Sequence, residues 1–151
     1  MNSKTIKSII GIVIFVVLII VIYFIKNNNS YESSFDAEVK NIIMYANHEW
    51  TVDNSSGEIT EKTYSNCKNG CNNKMKDLES RSSLHYYVHL DNRGFIKKIF
   101  ITDGEYQYSF VTEEQIKSTN IISEVDSKIK KVSELSKDKV FYIENSEVHY
   151  N

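Results

Sequence analysis

Hydrophobic and polar positions fall into three patterns along the chain. The first is unbroken: residues 9–25 read IIGIVIFVVLIIVIYFI, with no charge and one glycine. Extended to Thr5 and Lys26, the run covers about 33 Å at about 1.5 Å per residue, enough for the core of a bilayer. It predicts a transmembrane helix over residues 5–26 behind a short tail at 1–4, with Tyr23 and Phe24 at the interface. The polar run Lys26-Asn27-Asn28-Asn29-Ser30 that follows holds neither an A-x-A site nor a lipid-accepting cysteine. An uncleaved signal-anchor is therefore expected rather than a signal peptide. Residues 27–34 read as a polar linker.

The second pattern has helical period. Phe35, Val39, Ile42, Ile43, Ala46 and Trp50 form one apolar stripe, with Ser33 and Asp36 as a capping pair. Asp36 and Glu38 suit the positive end of the helix dipole. A second stripe, Ile121, Ile122, Val125, Ile129 and Val132, predicts a C-terminal helix reaching about Leu135.

The third pattern alternates. Residues 84–90 end at Asp91-Asn92-Arg93-Gly94, residues 95–102 end at Asp103-Gly104, and residues 105–111 follow. Asp-Gly between β-branched and aromatic residues is a strong hairpin signal. With Asp103-Gly104 as the loop, Thr102 pairs with Glu105, Ile101 with Tyr106 and Ile99 with Tyr108. Ile99, Ile101, Tyr106, Tyr108 and Phe110 then share a face. Residues 52–83 are polar and irregular, with a short edge strand expected at 59–64 and a helical turn at 75–78. Residues 140–143 suggest a last strand, and 147–151 are expected to fray. The predicted fold class is α+β: a transmembrane helix, an amphipathic helix packed on a small antiparallel meander, and a C-terminal helix. Residues 35–151 form the one folded domain.

Charge and composition narrow the function. With 18 Lys+Arg against 20 Asp+Glu, the chain lacks the basic excess of a nucleic-acid binder. Residues 27–151 carry all 20 acids and 15 of the bases, which favours a cytoplasmic N-terminus and a domain outside the plasma membrane. Asn, Lys and Ile make up 51 of the 151 residues, a bias of A/T-rich and mainly bacterial genomes.

Cys67 and Cys71 flank a Lys-Asn-Gly turn. In an oxidising compartment they are expected to form a disulfide, for which chain entropy gives about 2 kcal/mol. A redox-active dithiol is the alternative, but the spacing is not C-x-x-C and no helix start lowers a thiol pKa. His85 and His89 have the spacing of a helical metal site, but in a strand their side chains stand roughly 13 Å apart at about 3.3 Å per residue. Glu113 and Glu114 suit a helix N-terminus, and Lys128, Lys130 and Lys131 a solvated face. No nucleophile motif or phosphate loop is present. The reading is of a non-enzyme without metal or cofactor.

In layout, a hydrophobic N-terminal helix, the stripe from Glu38-Val39-Lys40-Asn41-Ile42-Ile43 to Trp50, the sheet at 84–110 and the nearby cysteines resemble type IV pilins and pseudopilins. The resemblance implies a spine helix packed on an antiparallel sheet and a filament subunit. Prepilins carry a Gly cleavage site with Glu at the fifth position beyond it. Here Gly11 is followed by Ile12, and the fifth residue is Val16. Peptidase processing and the acid's role in assembly are therefore not implied. The expected function is a membrane-anchored, extracytoplasmic binding or scaffolding domain with a protein partner at the cell surface. The alternative is a pilin-like subunit.

Overall fold

The computed structural model describes residues 3–55, 57, 59–66 and 84–151, with side chains outside the description at 3–12 and 24–33. The chain divides into two compact units, Met1–Ser34 and Phe35–Asn151. Helix α1 (Ser3–Asp53) supplies the first unit and opens the second. The backbone of residues 27–34, expected as a linker, is helical. Asparagine disfavours a helix interior by only about 0.7 kcal/mol per residue, and propagation from existing turns offsets this.

Three linked expectations for the first unit are corrected. Among the described residues, no helix is long and apolar enough to cross a membrane. The described apolar side chains of this unit occupy residues 13–23, about 17 Å of helix against a hydrocarbon core of about 30 Å. The transmembrane helix at 5–26, the signal-anchor and the single-pass plasma-membrane location that rested on it are set aside.

The second unit is built on a five-stranded antiparallel sheet of nearest neighbours: β1 (Lys62–Asn66), β2 (His85–Leu90), β3 (Ile96–Thr102), β4 (Tyr106–Val111) and β5 (Lys130–Lys131). The meander at 84–111 is present, with its register moved by two residues. Thr102 pairs with Gln107, Ile101 with Tyr108 and Ile99 with Phe110. The cause lies in the turn. Asp103 Oδ1 accepts hydrogen bonds from the amides of Glu105 (2.9 Å) and Tyr106 (2.8 Å), so Asp103 ends the strand and Gly104-Glu105 forms the loop. Gly104 takes φ +92° at the first loop position, which type II′ hairpins reserve for glycine. Because side chains alternate with period two, the shift leaves each residue on its expected face.

That face carries Tyr86, Val88, Leu90, Ile99, Ile101, Tyr106 and Tyr108, all buried. The α1 stripe covers it, with Phe35, Val39, Ile42, Ile43 and Ala46 fully buried and Phe35 5.8 Å from the Tyr106 ring. At the end of α1, Tyr64 donates to Asp53 Oδ2 (2.7 Å) and Trp50 Nε1 to the Thr60 carbonyl (3.2 Å). Burial, then the Asp53 carboxylate, pushes the Tyr64 phenol well above its usual range.

The C-terminal helix expected through Leu135 is also corrected. Its place is taken by α2 (Ser118–Ile122), α3 (Val125–Lys128) and β5. Ser123 and Ser127 donate to the carbonyls of Asn120 (2.7 Å) and Glu124 (2.8 Å), competing with the helical ladder, and the stripe itself is β-branched. Ile121, Val125 and Ile129 are buried nonetheless. Lys40 ties α3 to α1, lying 2.9 Å from Asp36 and 2.7 Å from Asp126. Burial, then the Asp126 carboxylate, raises the Asp36 pKa, whereas hydrogen bonding to Asp36 and Lys40 lowers that of Asp126.

In the β2–β3 turn, Asp91 Oδ1 accepts from the amides of Arg93 (2.9 Å) and Phe95 (3.0 Å). Burial opposes ionisation, but these donors with the charges of Arg93 and Lys97 hold the carboxyl below its usual range. Gly94 has φ +78°, and a Cβ there would lie 2.9 Å from Trp50 Cε3 and Cζ3.

Two predictions follow from this packing. Gly104→Ala has open space and bears only the backbone cost, about 1–2 kcal/mol. Gly94→Ala must also displace Trp50, so it lowers urea stability further and shifts the emission of the only tryptophan. The second concerns pH. Lys40→Ala leaves two facing carboxylates, so the variant loses most stability at neutral pH, where both are ionised. As pH falls through the raised Asp36 pKa that carboxyl becomes neutral and the deficit narrows. Denaturant midpoints at pH 7 and pH 4 check this.

Candidate functional site

Residues 141–150 alternate as Phe-Tyr-Ile-Glu and Glu-Val-His-Tyr about Asn145-Ser146. Both turn residues have positive φ, 51° and 63°, as a type I′ hairpin requires. Strands β6 (Phe141–Glu144) and β7 (Glu147–Tyr150) pair across it. The expectation that residues 147–151 fray is therefore wrong for this segment. Glycine, the usual mark of such a turn, is absent, which is why the sequence pattern missed it.

The hairpin packs on the sheet face opposite α1. Phe141 and Ile143 join Phe100 in a buried cluster, with Tyr87 and Val148 against it. Phe100 meets Phe141 edge-on at 5.2 Å and Tyr87 at 6.2 Å, and Phe141 meets Tyr150 at 6.4 Å. Gln107 Nε2 donates to the Lys139 carbonyl at 2.8 Å, holding the chain that leads into β6. Tyr142 and His149 stack at 5.3 Å on the other side of the hairpin. Where β7 passes over the sheet, a groove of about 430 Å³ opens. Tyr87, Lys98, Phe100 and Val111 form its floor, and residues 146–148 with Tyr150 its wall. Val111 and Tyr150 are more than half exposed there.

The residues singled out from sequence lie elsewhere and apart. His85 and His89 stand on strand β2, without the helical spacing of a shared metal site. His89 contacts Thr63 Oγ1 through Nδ1 (3.0 Å) and has Glu61 Oε2 3.9 Å from Nε2. His48 is exposed on α1, and His149 stacks on Tyr142. Among the described residues no group of three His, Cys, Asp or Glu could hold a metal ion. The carbonyls of Glu113 and Glu114 accept from Lys97 Nζ at 2.8 and 3.1 Å. Lys128 pairs with Glu124 at 2.8 Å and lies 4.8 Å from the Phe110 ring centroid, while Lys130 and Lys131 belong to β5. Cys67 and Cys71, expected to form a disulfide, lie outside the described residues.

Sequence reasoning missed the groove because its floor and wall come from segments far apart in the chain. The available signal was the in–out alternation on both sides of Asn145-Ser146. Compared with known proteins, the chain matches no protein family, no curated protein and no solved structure.

The aromatic cluster should set the hairpin's stability. Phe141→Ala, which removes a nearly buried ring, costs about 3–5 kcal/mol. Amide exchange in residues 141–150 should accelerate more than in β2 and β3.

Proposed function

We propose that the protein is a non-catalytic, pilin-like structural subunit that assembles with its own copies through the apolar first part of α1. One observation carries this reading. Residues 13–22 are all large and apolar, and each is between 47% and 65% exposed in the chain alone. A helix with an apolar stripe needs one partner surface, whereas a helix apolar on every side must be surrounded. Copies of the same segment supply that surround at matched length and chemistry. Repeated head-to-tail contact between them closes into a ring or continues as a filament. The helical backbone through residues 27–34 supports the likeness to a spine helix, since the expected interruption there is absent. The missing acid at Val16 leaves assembly to apolar packing.

A monomeric binding or scaffolding module is the second reading, favoured by the groove beside β7. The two differ in whether copies touch at residues 13–22.

The test places a photocrosslinking amino acid at Val17 in the full chain and examines material sheared from cells. A ladder of same-chain products and regular filaments in negative stain is expected. Val17→Asp should abolish both while leaving the near-ultraviolet circular dichroism of the second unit unchanged. A monomeric chain, crosslinks only to other proteins, or aggregates indifferent to Val17→Asp would overturn the reading.

A further inference from the structure

Strand β7 has one partnered edge and one open edge. The two-residue turn makes Glu144 and Glu147 a hydrogen-bonded pair, and the bond from the Asn151 amide to the Val140 carbonyl (3.0 Å) continues the same phase. Tyr142 with His149 is then also a hydrogen-bonded pair. Phe141 with Tyr150 and Ile143 with Val148 are the alternate, non-bonded pairs. The amides and carbonyls of Val148 and Tyr150 therefore point away from β6. Among the described residues no strand pairs with that edge.

The side chains of these same two residues line the groove. An incoming strand bonded to the open edge would set the residues opposite Val148 and Tyr150 on the groove side, two positions apart in its own sequence. The floor below is apolar at Phe100 and Val111 and cationic at Lys98. Lys98 is exposed and makes no ion pair or hydrogen bond among the described residues. The wall's acid, Glu147, sits 4.0 Å from His149 Nε2 and forms no ion pair with Lys98.

We infer that the open edge of β7 accepts an extended polypeptide segment of another protein as a third strand. The segment places an apolar side chain over Phe100 and Val111, and an acidic side chain two residues away on Lys98. Main-chain bonding supplies affinity that is indifferent to sequence, while the groove selects the alternation of apolar and acidic residues. This surface lies wholly in the second unit and does not involve residues 13–22, so it stands or falls apart from self-assembly.

The test uses a displayed library of random nonapeptides, selected in parallel on the full chain, on Lys98→Glu and on Val17→Asp. On the full chain and on Val17→Asp, the expected enrichment is an acidic residue with an apolar residue two positions away. On Lys98→Glu the acidic residue should give way to Lys or Arg. A synthetic winner should bind about tenfold or more weakly once its inward-facing amides are N-methylated. Its binding should slow deuterium exchange in residues 147–151. No enrichment, the same peptides regardless of Lys98, or affinity unaffected by N-methylation would overturn the inference. Enrichment lost only on Val17→Asp would assign the peptides to the apolar helix instead and would also overturn it.

Discussion

The seating of Phe35, Val39, Ile42, Ile43 and Ala46 on one face of the sheet is the contact on which the second unit depends. Each large side chain there gains about 1.5–3 kcal/mol on leaving water, and none of the five is exposed. The same helical segment positions what surrounds it. Lys40 fixes α3 beside it, and Tyr64 and Thr60 bind its last turn to β1 and the residue run before it. With that face closed, the opposite face is left for a second layer, and the β6–β7 hairpin occupies only part of it. The groove is the part that remains.

Much of this was readable from residue pattern, and the exceptions have physical causes. The α1 stripe and the alternation at 84–111 announce elements whose burial matches the pattern, because both follow from one face meeting a core. The second stripe has the same spacing, but serines that bond their own backbone and a run of β-branched residues interrupt the helix. Ile121, Val125 and Ile129 keep their burial because side-chain placement survives a break that the backbone ladder does not. At 27–34 the error ran the other way: residues with poor helix propensity follow the turns on either side. The apolar run at 9–25 suggested a membrane span, a reading that the described helix does not support.

The candidate site was least legible. Tyr87 and Phe100 read as strand residues, and nothing local tells which cover they receive. The hairpin that covers them turns at Asn145-Ser146, where asparagine tolerates the left-handed conformation and serine is held in it by the strands on either side. The histidines and lysines that attracted notice stand on the surface or in strands, apart from the groove.

The β3–β4 turn also bears on how this chain can vary. Its loop lies one residue beyond where the Asp-Gly signal placed it, which moves the pairing register by two, yet no side chain changed sides. Heritable changes in turn length are therefore not equivalent in this sheet. Gain or loss of two residues between Thr102 and Gln107 keeps Tyr108 and Phe110 facing α1. Gain or loss of one turns them to the hairpin side and brings Ser109 and Val111 inward. Natural length variation in this turn should therefore run in even steps, with odd steps confined to places where a bulge, as between His89 and Leu90, restores the phase.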